Sequence, residues 1–334
     1  MQRPLRVLSL DGGGIRGIIP VVVLEEIERR AGQPICRLFD LIAGTSTGGI
    51  LALGLTKRSP GGEPEYRAAD LRNLYVTQGP SIFHQSLGRR ILSLGKLLEA
   101  KYPASNIDDV LLRYFGDQRL ADALTPVVIP AFEIQGRRAW FFRSARAATD
   151  EGYNFLMREV ARATSAAPTY FPPVRLLRRA PDPDSDRPDY ALVDGGVFAN
   201  NPAMCAYVEA QAARPQQLLL VSIGTGGRVT PIEYDQARGW GVVGWAQPIL
   251  DVVFDGINDT TEYQLGKLLK PSVTYYRFQA KLRPHEDKLD DASPENIKRL
   301  TATGAAIVAQ RSGDLDTLVG ELLGTDTPLQ SAVS

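Results

Sequence analysis

The chain has 334 residues, 44% hydrophobic and 23% charged, an ordinary balance for a soluble globular protein. Its 38 basic and 38 acidic residues cancel, which argues against a dedicated nucleic-acid binder. Two cysteines, Cys36 and Cys205, make no disulfide framework; the N-terminal stretch has no signal-type apolar region, and no run approaches the roughly 18 apolar residues of a membrane span. The expectation is a reduced, cytoplasmic protein with two buried structural thiols.

Leu5 to Leu10 reads as a short buried strand that enters Asp11-Gly12-Gly13-Gly14-Ile15-Arg16-Gly17. Ile18, Ile19, Val22, Val23 and Ile27 then recur at helical spacing, with Glu25, Glu26, Glu28 and Arg29 opposite, until Gly32 stops the helix. Leu41 to Ala43 is a second strand, followed by GTSTGG and an apolar helix from Ile50 to Leu55. Residues 57–66 form a Pro/Gly loop, the stretch from Ala69 to about Leu112 reads as largely helical with Arg89, Arg90, Lys96 and Lys101 on it, and together they make an insertion over about 57–112.

Pro126 to Ile134 and Arg138 to Arg143 are two strands joined at Gln135-Gly136, a hairpin. Asn154 to Ala163 is an amphipathic helix, and residues 178–189 are an exposed proline and aspartate loop. Ala191 to Val193 enters the turn Asp194-Gly195-Gly196, and Pro202 to Ala213 is a helix. Leu218 to Ile223 and Val273 to Gln279 are strands on either side of a helical region from Trp240 to Leu269. Ser293 caps a helix with Pro294 in its first turn. Strands alternating with helices predict an α/β fold, a mostly parallel central sheet flanked by helices.

Gly44-Thr45-Ser46-Thr47-Gly48 is G-x-S-x-G between a strand and a helix, the setting in which that pattern makes a nucleophile. A serine on so sharp a turn needs small neighbours if its Oγ is to stand clear. The helix that follows turns its positive end toward the site. A serine also needs a base, and the two histidines, His84 and His285, lie in an irregular helical region and in a very polar stretch. Asp194, at a strand end in a glycine turn, is the alternative base; a partly desolvated carboxylate can take the serine proton as the transition state forms.

DGGGIRG at residues 11–17, GTSTGG at 44–49 and DGG at 194–196, in this order, resemble the patatin-like phospholipase family, and SAAPTYF at 165–171 resembles a further block of it. The resemblance covers residues 5 to about 226. It implies a single three-layer domain with a C-terminal α/β extension over about 227–320. It also implies a Ser-Asp dyad without histidine: Ser46 as nucleophile and Asp194 as its base. Gly12, Gly13 and Gly14 match the oxyanion loop and Arg16 a basic position within it, while Asp11 is a turn residue rather than the base. The implied reaction is hydrolysis of lipid acyl esters with no cofactor or metal, the phospholipid membrane being the substrate and its inner face the place of action.

The same blocks are similar to bacterial effectors of the CapV kind, phospholipases switched on by a cyclic nucleotide in anti-phage defence (CBASS). That resemblance implies a cyclic di- or trinucleotide as allosteric activator. Arg89, Arg90, Lys96, Lys101, Arg158 and Arg162 are candidates for its site by charge, with solvated surface charge as the plain alternative. A constitutive lysophospholipase or lipid ester hydrolase is the other reading, and a homo-oligomer is open. Gly12 to Gly17 also spells G-x-G-x-x-G, but a dinucleotide site needs an acid after the second strand, and Asp40 precedes it. A catalytically silent nucleotide-binding protein is therefore the remote alternative. Ser81 to Leu98 and Thr169 to Leu177 are the segments expected to meet lipid, with core as their alternative role.

Overall fold

The computed structural model describes residues 3–84, 100–179, 187–227, 230–246, 248–268, 271–283 and 286–324. Eight strands form one sheet: β1 (Leu5–Leu10), β2 (Leu41–Gly44), β3 (Val127–Glu133), β4 (Arg138–Arg143), β5 (Val174–Leu177), β6 (Asp189–Asp194), β7 (Leu218–Ile223) and β8 (Val273–Phe278). The order is β5-β6-β3-β2-β1-β7-β8, with β4 also on β3.

Among the described residues nine longer helices surround the sheet: α1 (Ile18–Ala31), α2 (Thr47–Thr56), α3 (Ala68–Ile82), α4 (Ala104–Phe115), α5 (Met157–Thr164), α6 (Ala203–Gln211), α7 (Pro248–Leu268), α8 (Pro294–Gln310) and α9 (Ser312–Leu323). Alternation along the strands divides the core in two. Val7, Leu41, Ala43, Val128, Leu218 and Leu220 face α6 and Leu265 of α7. Leu8, Leu10, Ile42, Ile129, Leu219 and Val221 face the other way, into a larger core with α1, α2, α3, α5, α8 and α9. Strands buried on both faces explain why these runs are nearly all aliphatic.

The sheet is parallel only from β3 through β2, β1 and β7 to β8. β4, β5 and β6 join it antiparallel. The strand Val174–Leu177 has no counterpart among the elements expected from sequence. Pro172 and Pro173 precede it, and its burial alternates weakly, because it sits at the sheet edge. The amphipathic helix expected from Asn154 begins at Met157, since the Glu159 carboxylate accepts the Leu156 amide at 2.9 Å and caps the chain there.

One detail of register places the site. β4 pairs with β3 from Val128 to Glu133, so it occupies one whole edge of that strand. β2 and β6 must then share the opposite edge, β2 at Val127 and Val128, β6 at Ala131 to Glu133. The two run toward each other and stop on either side of Pro130, which has no N–H to offer either. Their ends carry Ser46 and Asp194.

Candidate active site

Ser46 follows β2 and is the N-cap of α2, with φ 54° and ψ −121°. A serine at positive φ is strained, and such strain persists only where the surroundings enforce it. Close packing enforces it here: a Cβ on Gly44 would lie 2.1 Å from the carbonyl oxygen of Gly48, and one on Gly48 would lie 2.2 Å from that of Leu10. The Ser46 amide donates to Thr164 Oγ1 at 2.9 Å, and that hydroxyl donates to Pro130 O at 2.6 Å. Thr164, the last residue of α5, thus fastens the serine turn to the gap between β2 and β6.

Asp194 ends β6 with 1% of its surface exposed. Its amide donates to Ala166 O at 3.0 Å, and its Oδ1 accepts the Gly196 amide at 2.7 Å. Burial pushes the carboxyl up to about 7, while hydrogen bonds from the Ser46 hydroxyl and the Gly196 amide pull the other way. No cation is among the groups that set it. The carboxylate is therefore a far stronger base than an aspartate in water.

The glycine loop lies across from this pair. Gly13 and Gly14 line the same cavity as Ser46 and Asp194. Among the described residues neither of their N–H groups has an acceptor. Gly12 is different: its amide donates to Asn200 O at 2.9 Å and its carbonyl accepts from Thr225 Oγ1 at 2.6 Å. Arg16 also turns away, its guanidinium donating to Gly13 O and Asp287 O, each at 3.4 Å. Of the four groups expected from sequence, backbone carbonyls thus engage the Gly12 amide and the Arg16 guanidinium, and the amides of Gly13 and Gly14 have no acceptor among the described residues.

Asp11 pairs with Arg277 of β8, Oδ2 to NH2 at 2.7 Å, beneath the loop and away from Ser46. Arg277 also reaches Ser222 Oγ and Glu262. His84 is exposed just past α3 and does not line the cavity. His285 lies outside the described residues. The Ser46 cavity is walled by Ile50, Tyr75, Ile82, Phe83, Ile107 and Phe171 among others, almost entirely apolar. Such a slot excludes water and suits an alkyl chain.

The model of the family described as patatin-like phospholipase matches residues 8–207. The chain belongs to the patatin-like phospholipase family. Its relatives include Patatin-like protein 4 of Arabidopsis thaliana, 32% identical over 336 residues, which cover 90% of this chain and 82% of that protein. Patatin-like protein 2 of Oryza sativa subsp. indica is 31% identical, covering 94% and 86%. Among solved structures, human GIVD cytosolic phospholipase A2 aligns over 97% of this chain and 61% of its own, with 10% identity and a TM-score of 0.46.

This patatin-like phospholipase, a lipid acyl hydrolase by family, uses several residues that the sequence left unmarked. Thr164 adjoins the recognised SAAPTYF block and could have been sought there. Asn200, Thr225 and Arg277 hold the glycine loop from three separate segments, with no spacing to betray them. Cys36 is buried as expected, but Cys205 is only half-buried; burial raises both thiols to about 11. The described residues among the proposed nucleotide contacts are already engaged: Lys101 with Asp290, Arg158 with Asp117, Arg162 with Asp108. Arg89, Arg90 and Lys96 lie outside the described residues. Tyr170, Phe171 and Leu176 are buried, so most of the apolar part of Thr169 to Leu177 is core rather than lipid-facing surface. Residues 85–98 of the other expected segment lie outside the described residues.

Proposed function

We propose that the chain hydrolyses acyl esters of phospholipids through Ser46 and Asp194. The observation that carries this is a buried carboxyl, raised to about 7, that lines the same apolar cavity as a strained serine. Ser46 Oγ attacks the ester carbonyl as Asp194 takes its proton. The oxygen that becomes negative is met by the N–H groups of Gly13 and Gly14, and each such donor is typically worth about 3 kcal/mol in the transition state. Asp194 returns the proton to the departing lysophospholipid alcohol, leaving the acyl group on Ser46. Water, deprotonated by Asp194, then attacks that ester and releases the fatty acid. The acyl chain occupies the slot between Ile82, Phe83, Ile107 and Phe171. Ser46→Ala and Asp194→Asn test the assignment: each should abolish release of fatty acid from phospholipid vesicles and short-chain esters, and full activity in either overturns it.

The likeness of the motif blocks to CapV-type effectors supports a finer reading, in which a cyclic di- or trinucleotide switches this activity on and the inner membrane face is its target. The ion pairs of Lys101, Arg158 and Arg162 give that site no support among the described residues. Assaying vesicle hydrolysis against a panel of cyclic nucleotides decides. Activity only with one of them establishes the effector, and activity without any establishes a constitutive acyl hydrolase.

A further inference from the structure

The longest concentration of uncovered apolar surface precedes and opens α7. Six of the fourteen exposed large apolar side chains among the described residues fall between Ile232 and Val252: Ile232, Tyr234, Val242, Val243, Ile249 and Val252. Val242 is 90% exposed, Tyr234 77% and Val243 67%. Two single helical turns, Tyr234–Ala237 and Val242–Trp245, contribute no buried residue. Trp240, between them, meets Trp245 of the second turn edge to face, ring centres 5.2 Å apart. Exposed valines and a tyrosine beside half-buried tryptophans are the composition of a segment that dips into a lipid interface.

Its position gives the patch a purpose. Helix α7 carries Ile249 and Val252 outward, while Phe254 on its inner face lines the Ser46 cavity. Pro248 and Asp251 border a groove with Lys101, Tyr170 and Asp290, and Tyr170 is shared with that cavity. The patch is therefore continuous with the rim through which an acyl chain must enter. Its charge points to the kind of surface: Glu233, Asp235 and Asp251 outnumber Arg238 between residues 232 and 252. A surface with an acidic surplus gains nothing from anionic headgroups.

We infer that residues 232–246 and 248–252 dock this enzyme on a zwitterionic lipid surface, inserting Val242 and Val243 beside the mouth of the acyl slot. The inference rests on the lipid-hydrolase reading of the site. It moves the lipid-facing segment away from Thr169 to Leu177.

The test uses phosphatidylcholine vesicles and the full chain. Two of its three tryptophans lie in the patch, and Trp140, the third, is buried and stays silent. Vesicles should shift tryptophan emission to the blue, with no loss at high salt. Val242→Asp combined with Val243→Asp should remove the shift and lower vesicle hydrolysis at least about tenfold, from the loss of buried apolar area. Turnover of a water-soluble short-chain ester should stay unchanged, which also shows that the variant folds. Vesicle hydrolysis equal to wild type overturns the inference, as does binding that requires anionic lipid and vanishes with salt. So does a wild-type dimer that the variant dissociates while keeping vesicle turnover, since the patch would then bind a second copy. The emission shift needs no turnover: a wild type that cleaves neither substrate, with or without the cyclic-nucleotide panel, overturns the hydrolase reading, and the shift still decides the docking surface.

Discussion

Replacing Asp194 by asparagine should change both the stability and the pH dependence of this protein in a calculable way. The carboxyl rises from 3.8 to about 7 on folding, chiefly through burial. An acid raised on folding holds its proton more tightly in the native state, so its contribution to stability is full below the unfolded value and is lost as pH climbs through 7. Roughly three units at about 1.36 kcal/mol each amount to about 4 kcal/mol across the whole window. Between pH 5 and pH 8 the share is roughly 2.5 kcal/mol. Asparagine carries no such titration, and its Oδ1 can still accept the Gly196 amide. Urea unfolding of wild type and Asp194→Asn at both pH values should therefore show the wild type losing that amount relative to the variant. Turnover should move oppositely, because the base must be ionised: log(kcat/KM) for a short-chain ester should rise with unit slope and level off near pH 7. Parallel stability profiles, or a kinetic limb near pH 4, would refute the claim that burial sets the ionisation of Asp194.

Four further outcomes follow from the same contacts. Ser46→Gly should abolish turnover yet raise stability by about 1 kcal/mol in urea unfolding, since it relieves the positive φ of 54°. Thr164→Val should cost about 1–3 kcal/mol, since it strips partners from Ser46 N–H and Pro130 O, and lower kcat, whereas Thr164→Ser should keep both. Arg277→Met should cost about 3–5 kcal/mol by leaving Asp11 unpaired in the core, with Arg277→Met in an Asp11→Asn background costing less. His84→Ala should leave kcat/KM of a short-chain ester unchanged, as the imidazole is exposed and away from the cavity.

Much of the scaffold was legible because it is local. Aliphatic runs of strand length, glycine stops and the proline-started helix α8 follow from backbone preferences within a few residues. The β3–β4 hairpin was legible from its turn, but the antiparallel placement of β5 and β6 was not, since their direction depends on where the chain returns, and nothing in DYALVD states its neighbour. The same holds for the lipid-facing segment. Tyr170 and Phe171 read as exposed beside arginines but are buried, Phe171 against Phe83 and Tyr102, while Val242 and Val243 read as part of a helical region and project from it.

By itself, the sequence determined the types of group available: a serine in a tight turn, an aspartate at a strand end, glycines without side chains, and histidines too poorly placed to help. Only the tertiary structure decided what each does. It set β2 and β6 end to end along one edge of β3, which brings Ser46 to an aspartate 148 positions away. It closed the core around that carboxyl and so raised its proton affinity. It also divided the glycine loop, engaging Gly12 with Asn200 and Thr225 and leaving the amides of Gly13 and Gly14 facing the cavity. Proton affinity and unpaired donors are properties of surroundings, and surroundings are assembled from segments that the sequence holds far apart.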